Sequence, residues 1–163
     1  MATTLSVTDM LPNKFEPKRK YRWIFQIEGV DAFLMKTVQR PTFQFEEMKI
    51  DFINAVRYLG GKMTFSEIRV QLHDPIAPSG AQQVMEWIRT HYESVSGRAG
   101  YADFYKRDCQ LKLLDPVGTV VELWDMKGCM IKSANYNDLD YSDTNTPMMI
   151  DLSLRMDNCV LQY

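Results

Sequence analysis

The sequence predicts a mainly β protein, an antiparallel β-sandwich or barrel with one α-helix at about residues 79–92. Three observations carry this reading. Apolar residues recur with period two through most of the chain, as in strands with one buried face. Only one stretch has helical spacing, opened by a capping signal. Short turn signals such as Asp115-Pro116-Val117-Gly118 join neighbouring runs, which implies antiparallel pairing.

The elements follow in order. Residues 1–20 lack periodicity, hold Pro12 and Pro17, and end in Lys18-Arg19-Lys20, so they read as an N-terminal arm. Its apolar Met10, Leu11 and Phe15 have no obvious core of their own. The basic triplet is too short to claim nucleic acid and reads as a solvated patch. Residues 21–163 read as a single β domain. Tyr21, Trp23, Phe25 and Ile27 form the apolar phase of a first strand, Gly29 to Ala32 a turn, and Phe33 to Arg40 a second strand ended by Pro41.

Thr42 to Asn54 is a long third strand whose apolar phase slips at Glu46-Glu47, the mark of a bulge. Gly60-Gly61 allows a tight reversal, and Ile68, Val70 and Leu72 mark the inward phase of the next strand. Residues 42–72 therefore read as a long hairpin with Val56, Arg57, Tyr58 and Leu59 at its tip. Apolar side chains at an exposed tip imply a contact site.

Ser79 and Gln82 form a capping box for a helix running to about Tyr92. Its apolar stripe is Ala81, Val84, Met85, Ile88 and Tyr92. Then come strands at Asp108 to Leu114, Thr119 to Met126, Gly128 to Tyr136 and Pro147 to Met156, giving about eight in all. The last has the cleanest alternation, with Met148, Ile150, Leu152, Leu154 and Met156 on one side.

Composition narrows the function. The 163 residues suit one domain with a sizeable core, and 45% hydrophobic with 25% charged residues is ordinary for a soluble protein. A formal net charge of −2 gives no overall attraction to nucleic acid. No run is apolar enough to span a membrane, and no secretory signal is visible. Cys109, Cys129 and Cys159 are odd in number and lack a CxxC pair, which argues against a disulfide framework or a zinc knuckle. The eleven methionines suit core filling and adaptable subunit contacts alike.

A catalytic constellation is absent. His73 and His91 have no nucleophile at a recognisable spacing. Gly60-Gly61-Lys62 lacks the spacing of a phosphate-binding loop. Asp138, Asp140 and Asp143 lack the glycine and the closing glutamate of a calcium loop. The sequence therefore implies no enzyme activity, no metal and no cofactor.

The C-terminal third carries a resemblance. Leu123-Trp124-Asp125-Met126-Lys127-Gly128-Cys129-Met130-Ile131 is followed by Asn137-Asp138-Leu139-Asp140-Tyr141-Ser142 and by the final alternating strand. This ending resembles the tail tube proteins of contractile-tailed bacteriophages, which have a strand, a glycine-containing segment, an LDYS-like turn and a last strand. With the early hairpin and the helix after it, the resemblance spans nearly all of residues 20–163. Many family members carry a Trp-Pro pair where Met130-Ile131 stands here.

The resemblance implies hexameric rings stacked into a hollow tube within a contractile sheath. The chain would meet copies of itself, a tail sheath protein, and initiator, baseplate and terminator proteins, and double-stranded DNA would pass non-specifically through the tube. It would sit in the virion tail, assembled in the host cytoplasm, without membrane contact. The same fold serves secretion-system and bacteriocin tubes, so those remain open, as do a ligand-binding β-barrel of lipocalin type and an enzyme on a β-sandwich. Subunit contacts are expected at Val56, Arg57, Tyr58, Leu59, Met10, Leu11 and Phe15. The lumen is expected to be acidic or neutral, with Glu46, Glu47, Glu67 and Asp151 as candidates, because like charge repels a phosphate backbone.

Overall fold

The computed structural model describes Ser6, Met10, Leu11 and residues 15–163; the rest of the expected arm lies outside the described residues. The described residues form nine strands: β1 (Trp23–Ile27), β2 (Met35–Val38), β3 (Phe43–Phe52), β4 (Ala55–Phe65), β5 (Ile68–His73), β6 (Arg107–Leu114), β7 (Val120–Asn135), β8 (Met149–Arg155) and β9 (Asn158–Leu161). Two helices, α1 (Gly80–His91) and the one-turn α2 (Ala102–Tyr105), lie between β5 and β6. All strand pairs are antiparallel.

Seven strands share one sheet in the order β1-β6-β7-β8-β5-β2, with β9 also on β7. The sixteen-residue β7 is where the sheet divides. Two strands were expected here, broken at Gly128; the chain instead continues, bent at Gly128 with φ 65. Before the bend β7 pairs with β6 and β9; after Cys129, which still faces Arg107 of β6, it pairs with β8. A side chain at Gly128 would put its Cβ 2.3 Å from Asp157 Oδ2. The bend is tied on both sides, since Gly128 N donates to Asp108 Oδ1 at 3.2 Å and Asp157 N donates to Lys127 O at 3.1 Å.

The two halves of the sheet bury one core. Phe25, Ile27, Cys109, Leu111 and Met126 come from the first half, and Ile68, Val70, Leu72, Ile150, Leu152 and Leu154 from the second. These are the inward phases expected from period two. Burial of such side chains, at about 1.5–3 kcal/mol each, fixes the register, because a one-residue slip would turn every one of them outward. The outer members of two phases are not enclosed: Tyr21 and Met148 stay exposed. Cys109 and Cys129 are buried free thiols, and Cys159 is half-buried.

Helix α1 begins as expected, with the Ser79 hydroxyl accepting from Gln82 N. Asp74 Oδ1 also accepts from Ala81 N at 3.1 Å. The expected apolar stripe is rotated. Val84 and Trp87 are the buried side chains, Ala81 and Ile88 pack beside them, and Tyr92 is exposed. The indole decides this, because Trp87 Nε1 reaches the Tyr105 carbonyl at 2.6 Å and Arg107 lies 5.0 Å over the ring.

The barrel alternative is not realised. β1 and β2 end the sheet path and do not pair with each other, so the sheet is not closed. They flank a cleft of about 840 Å³ that Tyr21, Ile24, Phe33 and Met35 help to line. The space between the sheet halves is filled by the core, which leaves no lipocalin-like chamber there among the described residues.

Candidate assembly surfaces

The first candidate surface is the ribbon β3–β4, a separate two-stranded sheet. The reversal lies at Ile53-Asn54, between the paired Phe52 and Ala55, and not at Gly60-Gly61 as expected. The glycines lie inside β4 and serve the bulge. Register shifts between Phe45 and Glu47, so Gly61 and Lys62 together face Glu46. A Cβ on Gly61 would stand 2.7 Å from the Glu46 carbonyl oxygen, a close approach that only glycine tolerates. The phase slip at Glu46-Glu47 thus signalled a real bulge, while the glycine pair was misread as its turn.

Val56, Arg57, Tyr58 and Leu59 consequently sit along β4, opposite Asp51, Ile50, Lys49 and Met48. The true tip residue, Ile53, is fully exposed. Residues 42–63 are all exposed except Ile50. Cross-strand partners share a face, so beyond the bulge Met48, Leu59, Ile50, Phe52 and Ala55 form one side and Glu47, Lys49, Tyr58, Asp51 and Val56 the other. Before the bulge the apolar group is Phe43, Phe45, Met63 and Phe65, with Phe43 and Phe45 edge to face at 5.9 Å. Such a ribbon gains little stability from its own fold, since none of the described residues covers its apolar faces. Met10, Leu11 and Phe15 of the arm are likewise exposed.

The second surface is a buried anchor that sequence reasoning missed. Glu122 is the one buried charged residue among those described, 3% exposed. Its carboxylate accepts from Lys18, from Trp124 Nε1 and from Arg40 Nη2, the last at 2.6 Å. Arg40 also lies 5.9 Å over the Trp124 ring. Desolvation pushes the Glu122 pKa up, but the Lys18 and Trp124 hydrogen bonds and the Arg40 and Lys18 charges outweigh it, and the net shift is downward. The cluster joins the arm, the chain after β2, and β7. A signal existed, because Glu122 shares the phase of Trp124 and of the buried Met126. An acid on an inward phase requires a cation.

The third surface is the outward face of β2, β5, β8 and the C-terminal half of β7. Thr37, Gln71, Asp151 and Asn135 line up across the four strands, and Arg69, Ser153 and Ser133 form the neighbouring row. Glu67 ion-pairs with Lys132 and, at 3.8 Å, with Arg155, and accepts from the Ser153 hydroxyl at 2.9 Å. The bonds from Lys132 and Ser153 hold its carboxyl below the usual range. Asp151 accepts from Gln71 Nε2 at 2.9 Å. Lys36 reaches Met149 Sδ at 3.0 Å.

The four lumen candidates therefore fall on two surfaces. Glu46 and Glu47 are on the ribbon, and Glu67 and Asp151 are on the sheet face. That face is not acidic. Lys36, Arg69, Lys132 and Arg155 outnumber Glu67 and Asp151, in a chain whose overall charge is −2.

No group of acidic, histidine or cysteine side chains among the described residues could hold a metal ion. No helix among them is long and apolar enough to cross a membrane. His91 stacks on Tyr105 with centroids 4.1 Å apart. Asp140, expected in the LDYS-like turn, caps Ser142 N at 2.9 Å.

No family model and no curated protein matches the sequence. Solved structures do match the fold. A chain in the sheath/tube terminator of an extracellular contractile injection system, PVC, aligns over 92% of this chain and 99% of its own, with 15% identity and a TM-score of 0.73. A chain in the tube-terminating cap of the anti-feeding prophage aligns over 97% and 99%, with 16% identity and a TM-score of 0.73. The SPP1 tail tube aligns over 89% of this chain and 78% of its own, with 14% identity and a TM-score of 0.52. The chain has the tail-tube fold that these structures share.

Proposed function

We propose that this chain is a structural subunit of a contractile phage tail tube, without enzyme activity, forming hexameric rings that stack into a conduit for double-stranded DNA. One observation carries the reading beyond the fold. The β3–β4 ribbon exposes apolar residues on both sides, and a second copy would cover them. The unpaired edges of β1 and β2 are a further liability that ring closure relieves.

In this reading Val56, Arg57, Tyr58 and Leu59, with Met10, Leu11 and Phe15, make subunit contacts. The outward face with Glu67 and Asp151 lines the lumen. The ring meets a sheath protein outside, and initiator, baseplate and terminator proteins at the tube ends. Particles form in the host cytoplasm and the subunit ends in the virion tail.

Negative-stain microscopy with gel filtration tests this. Six-membered rings or tubes are expected, and a monomer at high concentration with initiator components present would overturn it. A tube-terminating subunit is a second reading, favoured by the likeness to terminator and cap structures. It gives single rings that do not stack. The tube of a secretion or bacteriocin system gives stacked rings in particles that lack a DNA-filled head.

A further inference from the structure

The cations on the outward face of β2, β5, β8 and β7 form a stripe. Lys36 stands at Met149, Arg69 opposite Ser153, and Arg155 and Lys132 beside Glu67. From residue 149 to residue 155 of β8 the stripe is about 20 Å long, at about 3.4 Å per residue. About six phosphates of one duplex strand span that length at about 3.4 Å each.

Both carboxylates on the face are engaged by neighbours. Arg69 and Lys36 pair with no carboxylate among the described residues, and Arg69 borders a shallow groove of about 430 Å³ with Gln71, Ser133, Asn135, Ser153 and Asp151, whose carboxylate is taken by Gln71. The face lacks what a protein partner buries. Protein interfaces centre on aromatic and apolar anchors, and here the polar rows hold no aromatic side chain and two apolar ones, Met149 and the half-buried Met130 opposite Arg155.

We propose that this face contacts the phosphate backbone of double-stranded DNA, with Arg69 and Lys36 as the free cations and Glu67 as an internal brake on Lys132 and Arg155. The contact is weak and independent of sequence, because so few phosphates are neutralised. The inference deepens the tube reading by giving the conduit a surface that touches its cargo, in place of one that only repels it.

The experiment uses the soluble, unassembled full chain and a labelled duplex DNA, with anisotropy followed across about 50–200 mM salt. Arg69→Glu with Lys36→Glu is expected to weaken binding about tenfold at low salt and to flatten the log–log salt slope by about 2. Glu67→Gln releases Lys132 and Arg155 and is expected to strengthen binding. Lys62→Glu, on the ribbon, is expected to change neither quantity.

Parental affinity and slope in the Arg69/Lys36 variant overturn the inference, as does an equal loss from Lys62→Glu. Competition by poly-glutamate as effective as that by DNA also overturns it and assigns the face to acidic polypeptides. If the double variant does not fold, the opposite shifts expected of Arg69→Gln and Glu67→Gln decide the matter. Ring formation is scored on the same proteins. Rings whose DNA binding ignores Arg69 remove this inference alone, whereas Arg69-dependent binding by a chain that never forms rings removes the tube reading and leaves the face.

Discussion

Arg40, just past β2, reaches Glu122 of β7, with Nη2 and Oε1 2.6 Å apart, although the two residues are 82 positions apart in sequence. The arginine is largely exposed and the glutamate is 4% exposed in its side chain. That asymmetry sets what each substitution costs. Glu122→Gln keeps an acceptor and frees two cations that water can solvate, so the loss is about 1 kcal/mol. Lys18→Met with Arg40→Met strands a buried carboxylate, and about 3 kcal/mol is expected. Denaturant melts of the three proteins check the order; a larger loss from Glu122→Gln would contradict it.

The same carboxylate gives a pH dependence. The folded pKa of Glu122 is lowered, so its contribution is present above the ordinary glutamate value and is lost as pH falls through the folded one. The window therefore lies below about pH 4.3. Other acids with lowered pKa, such as Asp108 and Glu67, titrate there too. The informative quantity is the difference in stability between the parent and Glu122→Gln. It is expected to shrink as pH falls through this window, and a difference flat with pH would remove Glu122 from the acid response.

Gly128 should tolerate no side chain. Its φ of 65 and the 2.3 Å approach of Asp157 Oδ2 to a built Cβ give two separate penalties. Gly128→Ala is expected to destabilise by about 1–3 kcal/mol. Asp157 can move, at the expense of its ion pair with Lys106. Gly128→Ala with Asp157→Ala should therefore recover only part of the loss, because the backbone strain persists. Full recovery in thermal melts would show that the steric term alone matters.

Where the sequence spoke through burial, the structure follows it. Ile68, Val70 and Leu72, and Ile150 to Met156 by alternation, face inward because no other register hides them. Where a residue type has two uses, sequence reasoning failed. A glycine pair serves a turn or a bulge, and only the Glu46 carbonyl pressed against Gly61 tells them apart. A glycine in an apolar run ends a strand or bends it, and the choice at Gly128 depends on Asp108 and Asp157, distant in sequence. Trp87 was lost from the helix stripe because its partner is a carbonyl eighteen residues on. The charge of the sheet face was illegible for the same reason, since Lys36, Arg69, Lys132 and Arg155 belong to four strands that only the fold makes neighbours.

The ribbon's two sides make the assembly reading specific. Leu59 lies opposite Met48 on the side with Ile50 and Phe52, and Tyr58 lies opposite Lys49 on the more polar side. Burying a leucine is worth about 1.5–3 kcal/mol, repeated at every subunit. Leu59→Asp should block ring stacking more completely than Tyr58→Asp, and the pair should abolish it. Both positions are exposed in the single chain, at 39% and 60%, so its melting temperature should not move. Normal tube length in the double variant would remove the ribbon from the interface.

Lysine substitutions separate the acids of the ribbon from those of the sheet face. Glu46 and Glu47 lie on the ribbon, a separate sheet from the one that carries Glu67 and Asp151. Glu67→Lys would place a third cation beside Lys132 and Arg155, and Asp151→Lys would add one beside Arg69's row. Both should slow DNA passage through assembled particles, and the delay should fade as salt rises, because phosphate contacts weaken with salt. Glu46→Lys and Glu47→Lys should leave passage unchanged and act, if at all, on assembly. The measurement is ejection rate against ionic strength in particles built from each variant. A delay from Glu46→Lys or Glu47→Lys equal to that from Glu67→Lys would place the ribbon in the lumen, and parental rates from all four at every salt concentration would mean that these charges do not govern passage.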